Sequence, residues 1–234
     1  MLGPFDYWLW AIGFVLEASV VVCVISSRSL TRYYAVAIYM FCRVAIGCLY
    51  YLCIARFGIG SEQYHSLYYY TESLLTILLF CVIIQFYQQV FADMGVNRYV
   101  RGGASMLLFA TALFSYVVIH RHSEHLTKQF VVEFGQNLYF VGVVLTYALW
   151  AAILHFRETR ARLIHLVLAL GLYFSGTAAT YALRNLFPSM QSFALQWVPP
   201  IFGVLLPLAW GYTFWRVPEE ARILRYQLEG RTAR

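Results

Sequence analysis

Charge is scarce in this 234-residue chain. Asp, Glu, Lys and Arg together make up 12% of it, about half the share found in a soluble globular domain. An ordinary water-facing surface cannot be built from so few charges. Lysine occurs once, as Lys128 in a connection, which excludes the Schiff-base lysine of a retinal protein's last helix. The five cysteines, Cys23, Cys42, Cys48, Cys53 and Cys81, include no CxxC pair. They read as small apolar packing residues rather than as a redox or metal set. No basic region precedes the first apolar run, so a cleaved signal peptide is not expected and the first segment is expected to be a permanent span. A net charge of +6 would suit nucleic acid only if the basic residues formed a stripe, and they do not.

What fills the chain instead is apolar: 61% hydrophobic and 18% aromatic residues, with a mean hydropathy of +0.64. A membrane span takes about 20 mostly apolar residues. On that scale the sequence predicts an all-α, single-domain bundle of seven transmembrane helices, at 5–25, 35–55, 67–89, 104–119, 131–156, 163–183 and 197–215. Together they form a membrane domain over 1–215, followed by a short basic tail over 216–234. Lys and Arg set the expected orientation. Arg28, Arg32, Arg98, Arg101, Arg157, Arg160, Arg162, Arg216, Arg222, Arg225, Arg231 and Arg234 lie on one side; Arg56, Arg121, Lys128 and Arg184 lie on the other. The richer side is cytoplasmic, which puts the N-terminus outside and the C-terminus inside. Trp8, Trp10 and Trp197 fall at the expected outer boundary, and Trp150, Trp210 and Trp215 near the inner one.

Two charges lie deep in predicted spans. Glu17 and Arg43 are each eight residues from the inner ends of neighbouring antiparallel segments, about 12 Å deep. A lone charge there costs about 2.5–3.5 kcal/mol, so the two are expected to form a buried ion pair. A second cluster is expected near the outer face. Tyr69, Glu72, Ser73 and Thr76 share one helical face, and Glu133, Gln136 and Asn137 open the fifth span. Tyr69, Glu72, Thr76, Glu133 and Asn137 are the candidates for an outward polar pocket. His120, His122 and His125 in the fourth connection are of a type that binds metal, but they lack the spacing of one helical face, and no metal or cofactor is expected. His155 and His165 flank the next cytoplasmic turn. Gly171, Ser175 and Ala179, with Gly176 and Thr180 beside them, have the small-xxx-small spacing of close helix packing. Pro207 is expected to kink the last helix.

The topology resembles rhodopsins and G-protein-coupled receptors, but the motifs do not. Asn97-Arg98-Tyr99 has Asn97 where a receptor carries an acid, and the last helix lacks Asn-Pro-x-x-Tyr. It also lacks the histidines of seven-helix lipid amidases, and the chain has no Pro-Gln dipeptide of a PQ-loop transporter. The run Tyr68-Tyr69-Tyr70-Thr71-Glu72, continuing to Phe86-Tyr87-Gln88-Gln89-Val90-Phe91, resembles a segment of bacterial seven-helix membrane proteins with no known activity. That resemblance implies a bacterial inner-membrane protein and no site residues. With no catalytic set and no internal repeat, the expected function is a small non-enzymatic sensor or accessory subunit. It would be embedded in the lipid bilayer and would dock a membrane or cytoplasmic protein through its basic tail. A channel or transporter with Glu17, Arg43 and Glu72 along its path is the alternative, and a lipid or quinone enzyme the third choice.

Overall fold

A computed structural model describes residues 4–27, 29–58, 60–92, 102–103, 106–107, 109–113, 126–156, 160–186 and 193–219. The described residues are all-α. Six long helices are α1 (Pro4–Ser26), α2 (Tyr34–Phe57), α3 (Glu62–Val90), α5 (Leu126–His155), α6 (Ala161–Leu186) and α7 (Phe193–Arg216). A short helical stretch over 109–113, α4, lies between α3 and α5 in the chain. Within these helices, Tyr34–Phe57, Glu62–Val90, Glu133–His155 and Ala161–Arg184 are each long and apolar enough to cross a membrane.

Several helices run past the apolar stretches that predict them. α3 begins at Glu62 because Ser61 caps it: the Ser61 hydroxyl accepts from the Tyr64 amide at 3.2 Å and donates to the Gly58 carbonyl at 2.9 Å. Gly58 itself has φ +80°, a left-handed conformation that glycine takes without a Cβ clash, and it ends α2 there. The polar first turn of α3 is thus as helical as its apolar middle.

Neighbouring helices close into a ring in the order α1, α2, α3, α5, α6, α7, with α7 packed back on α1. α4 lies against this ring: Leu107 and Ala112 pack on Phe80, Phe134 and Leu138 of α3 and α5. Apolar side chains also cover the outside, among them Val15, Phe41, Val144 and Leu154. Inside, glycines let aromatic rings penetrate: Phe174 of α6 fills the space at Gly142 of α5, and Phe202 of α7 fills that at Gly176 of α6. In lipid the apolar effect gives helices no reason to associate, so contacts of this closeness must hold the bundle.

Buried polar groups sort into two kinds. The hydroxyls of Thr76, Thr111, Thr146, Thr177, Thr180 and Thr213 each donate to the carbonyl four residues earlier. They are satisfied locally and need no partner helix. The rest reach between helices and fall into two clusters, separated along the bundle by an apolar layer. That layer includes Val24, Val36, Met40, Phe86, Leu166 and Trp210, each with 0% exposure. Trp210 belongs to this core rather than to a boundary belt, its indole donating to the Leu166 carbonyl at 3.2 Å.

Candidate functional site

The first cluster lies in the half of the bundle between the apolar layer and the Gly58 turn. Arg43 Nη2 stands 2.7 Å from Glu17 Oε1, and Arg43 Nη1 donates to the Tyr39 hydroxyl at 3.2 Å. Tyr39 is four residues before Arg43, so one face of α2 presents both. On the far side Gly203 of α7 lies against the guanidinium; a Cβ there would meet Arg43 Nη2 at 3.8 Å, an ordinary contact. The pair therefore bridges α1 and α2 with α7 folded over it.

Glu72 of α3 is the centre of the second part of the same cluster. Its Oε1 accepts from the Tyr139 hydroxyl of α5 at 3.1 Å, and Tyr139 lies 3.5 Å, oxygen to oxygen, from Tyr173 of α6. Tyr173 is in electrostatic reach of both Arg43 and Glu72, so the two parts are continuous through it. Tyr50, Tyr68 and Tyr181 also lie within electrostatic reach of Glu72. Around Tyr139 the rings are dense, with Tyr181 at 5.6 Å, Phe174 at 6.0 Å and Tyr173 at 6.2 Å between centroids. Tyr50 shares a hydrogen bond with Thr71 and leans on Tyr68 at 6.1 Å.

The structure brings some of the sequence candidates together and leaves others apart. Glu17 and Arg43 touch. Thr76 is buried beside Glu72 and within hydrogen-bonding reach of Tyr139. Tyr69 instead sets its ring edge-on to Tyr68 at 5.8 Å. Glu133 and Asn137 are half-buried on α5, six and two residues before Tyr139. His120 and His122 lie outside the described residues, as does His125. Among the described residues no group of three or more His, Cys, Asp or Glu is placed to hold a metal. Tyr39, Tyr139 and Tyr173 were not singled out by sequence. For Tyr39 a signal exists, its i, i+4 spacing to Arg43; for the other two, one tyrosine among 19 carries none.

A different polar cluster closes the opposite end of the bundle. Arg162, at the start of α6, is only 5% exposed. Its Nε and Nη2 donate to the Val217 carbonyl at 2.9 and 2.7 Å, and Nη1 donates to the Ser29 hydroxyl at 2.8 Å. A guanidinium on the last carbonyls complements the negative end of α7. Glu219 completes the latch: Arg32 Nη1 donates to Oε1 at 2.8 Å, and Ser29 lies 3.2 Å from Oε2. Partial burial pushes the Glu219 carboxyl up, but hydrogen bonds from Arg32 and Ser29 and the charges of Arg32 and Arg162 outweigh it, leaving it below its usual value. Gln85 and Gln89 of α3 both donate to the Arg32 carbonyl, at 2.9 and 2.6 Å. Residues 217–219 are thus tied to the first connection, α3 and α6 rather than trailing freely from α7.

The chain matches no protein-family model, no curated protein and no solved structure.

Proposed function

We propose that the protein is a non-enzymatic sensor or accessory subunit of the bacterial inner membrane, with its N-terminus outside and its C-terminus in the cytoplasm. The observation that carries this reading is the apolar layer that separates the two buried polar clusters. From Glu17, Tyr39 and Tyr173, these three helices continue toward the latch through apolar residues at their buried positions: Val20 and Val24 on α1, Val36 on α2, Leu170 and Leu166 on α6. A transporter needs a polar passage to the second face, and this layer would have to part to make one. A sensor needs only one polar half, a sealed half, and an output. The latch supplies the output, because it joins α7 and the chain leading into 220–234 to three other elements. A docked membrane or cytoplasmic protein would read the tail at that point. Arg32, Arg160 and Arg162 are spent on internal carbonyls and Glu219, which argues against nucleic acid as partner.

Cysteine accessibility tests the reading. In a background lacking the five native cysteines, Glu72→Cys, at a half-buried position, should react with a small water-soluble thiol reagent added from the outer side. Met40→Cys and Val36→Cys should react from neither side. Labelling of Met40→Cys from either side would mean a through-path, and the transporter reading would replace this one.

A further inference from the structure

Among the described residues the hydrogen-bonded cluster in the polar half joins two carboxylates, Glu17 and Glu72, with one guanidinium, Arg43. Arg43 is committed to Glu17 at 2.7 Å. Glu72 accepts one hydrogen bond, from Tyr139, and among the described residues it has no cationic partner. Arg184, the cation nearest that end of α6, is exposed one turn beyond Tyr181 and forms no ion pair with Glu72. Among the described residues no cation stands beside the Glu72 carboxylate, which lies ten residues, about 15 Å of helix, beyond the start of α3 at Glu62. Low dielectric makes that charge costly until something positive joins it.

What surrounds Glu72 selects the kind of cation. A hard metal ion takes six or more oxygen ligands, usually several of them carboxylates, and Glu72 is a single carboxylate. Aromatic faces within about 6 Å of a site attract ammonium groups, and quaternary ammonium ligands are held in aromatic cages. Here Tyr139 of α5 donates to the Glu72 carboxylate, Tyr68 lies one turn before Glu72 on α3, Tyr173 and Tyr181 of α6 pack on Tyr139 at 6.2 and 5.6 Å between ring centroids, and Tyr50 of α2 packs on Tyr68 at 6.1 Å. Tyr68 is 42% exposed while Tyr139 is 3% exposed, so the cage runs from the bundle surface inward. We infer that Glu72 and the tyrosines around it form a binding site for an organic ammonium ion. The ammonium belongs either to a free amine or to a lipid headgroup.

The inference rests on the polar half-site proposed above and has its own test. The full chain is placed in phosphatidylglycerol nanodiscs, which carry no ammonium, and its melting midpoint is followed against tetramethylammonium chloride or sodium chloride at equal ionic strength. Tetramethylammonium should raise the midpoint saturably and sodium should not. Glu72→Gln should weaken the response by about 30-fold or more, and Tyr181→Leu or Tyr68→Leu by about 2- to 30-fold. If Glu72→Gln does not fold, the tyrosine variants decide alone. No saturable effect in the wild type, or an affinity indifferent to these substitutions, overturns the site. Repeating the titration in phosphatidylethanolamine nanodiscs separates the sources. A weaker apparent affinity there identifies the headgroup as occupant, and an unchanged one identifies the free amine. Ammonium binding with a labelled Met40→Cys would keep this site and discard the sensor; the reverse pair of results would do the opposite.

Discussion

Removing one member of the Glu17–Arg43 pair should cost more than removing both. At 2.7 Å and an effective dielectric of about 20, the gross attraction is about 6 kcal/mol. Desolvation of both ions cancels most of it. Polar couplings measured between membrane helices average about 0.6 kcal/mol and reach about 1.7. This pair should lie at the upper end, near about 1.5 kcal/mol, because Tyr39 holds the guanidinium in place at 3.2 Å and Gly203 of α7 lies against it. The two single losses should also differ in character. In Arg43→Gln the unpaired Glu17 can take up a proton, whereas in Glu17→Gln the guanidinium cannot lose one. The Arg43→Gln defect should therefore shrink as pH is lowered, while the Glu17→Gln defect should not. The assay is unfolding of the purified protein in mixed micelles of rising dodecyl sulfate content, for wild type, both singles and Glu17→Gln/Arg43→Gln. Losses that add to within about 0.3 kcal/mol would refute the reasoning, as would a pH response in the Glu17→Gln variant alone.

Gly142→Ala and Gly176→Ala should each destabilise by about 1–3 kcal/mol, because a Cβ would overlap Phe174 or Phe202. Gly135→Ala, with open space at its Cβ, should be neutral or stabilising by up to about 1 kcal/mol; the same unfolding assay ranks the three. Arg162→Gln should cost about 3–5 kcal/mol because it strands buried partners, whereas Arg32→Gln, breaking a half-exposed pair, should cost about 1 kcal/mol or less. Glu219 titrates below its usual 4.5 in the folded protein. Its contribution is therefore complete above that pH and is lost as the solution is acidified through the lowered folded value. Melting midpoints of wild type and Glu219→Gln should differ at neutral pH and converge in that acid range; a constant gap would remove Glu219 from the latch. A reporter active only in cytoplasm should work when fused after Arg234 and fail after Lys128, and the opposite pattern would invert the orientation.

The helices were legible because a span has to be apolar for its whole length, and length is visible in a sequence. Their ends were less so. The first turn of α3, Glu62 to Ser66, is polar and helical, held by a serine cap rather than by hydropathy. For the site, an acid and an arginine inside spans are conspicuous because they are costly there. Tyrosine is not: at either end of a span it serves equally as an interfacial anchor, and only the packing of α5 against α6 turns Tyr139 and Tyr173 toward Glu72. Arg162 shows the same limit from the other direction. By position it is one more basic residue of a connection, counted for orientation. Only the return of α7 supplies the carbonyl that buries it.

That return has a consequence for how the chain is made. Ser29 and Glu219 are separated by 190 positions, and Val217 comes 55 after Arg162. A ribosome delivering α6 has not yet delivered the Val217 carbonyl that Arg162 will hold. Throughout that interval the guanidinium must stay hydrated at the membrane surface, keeping the start of α6 from sinking. Val217 and Glu219 then tie the first connection and the start of α6 together at once, so a message truncated before codon 217 would yield helices that insert but lack this lock.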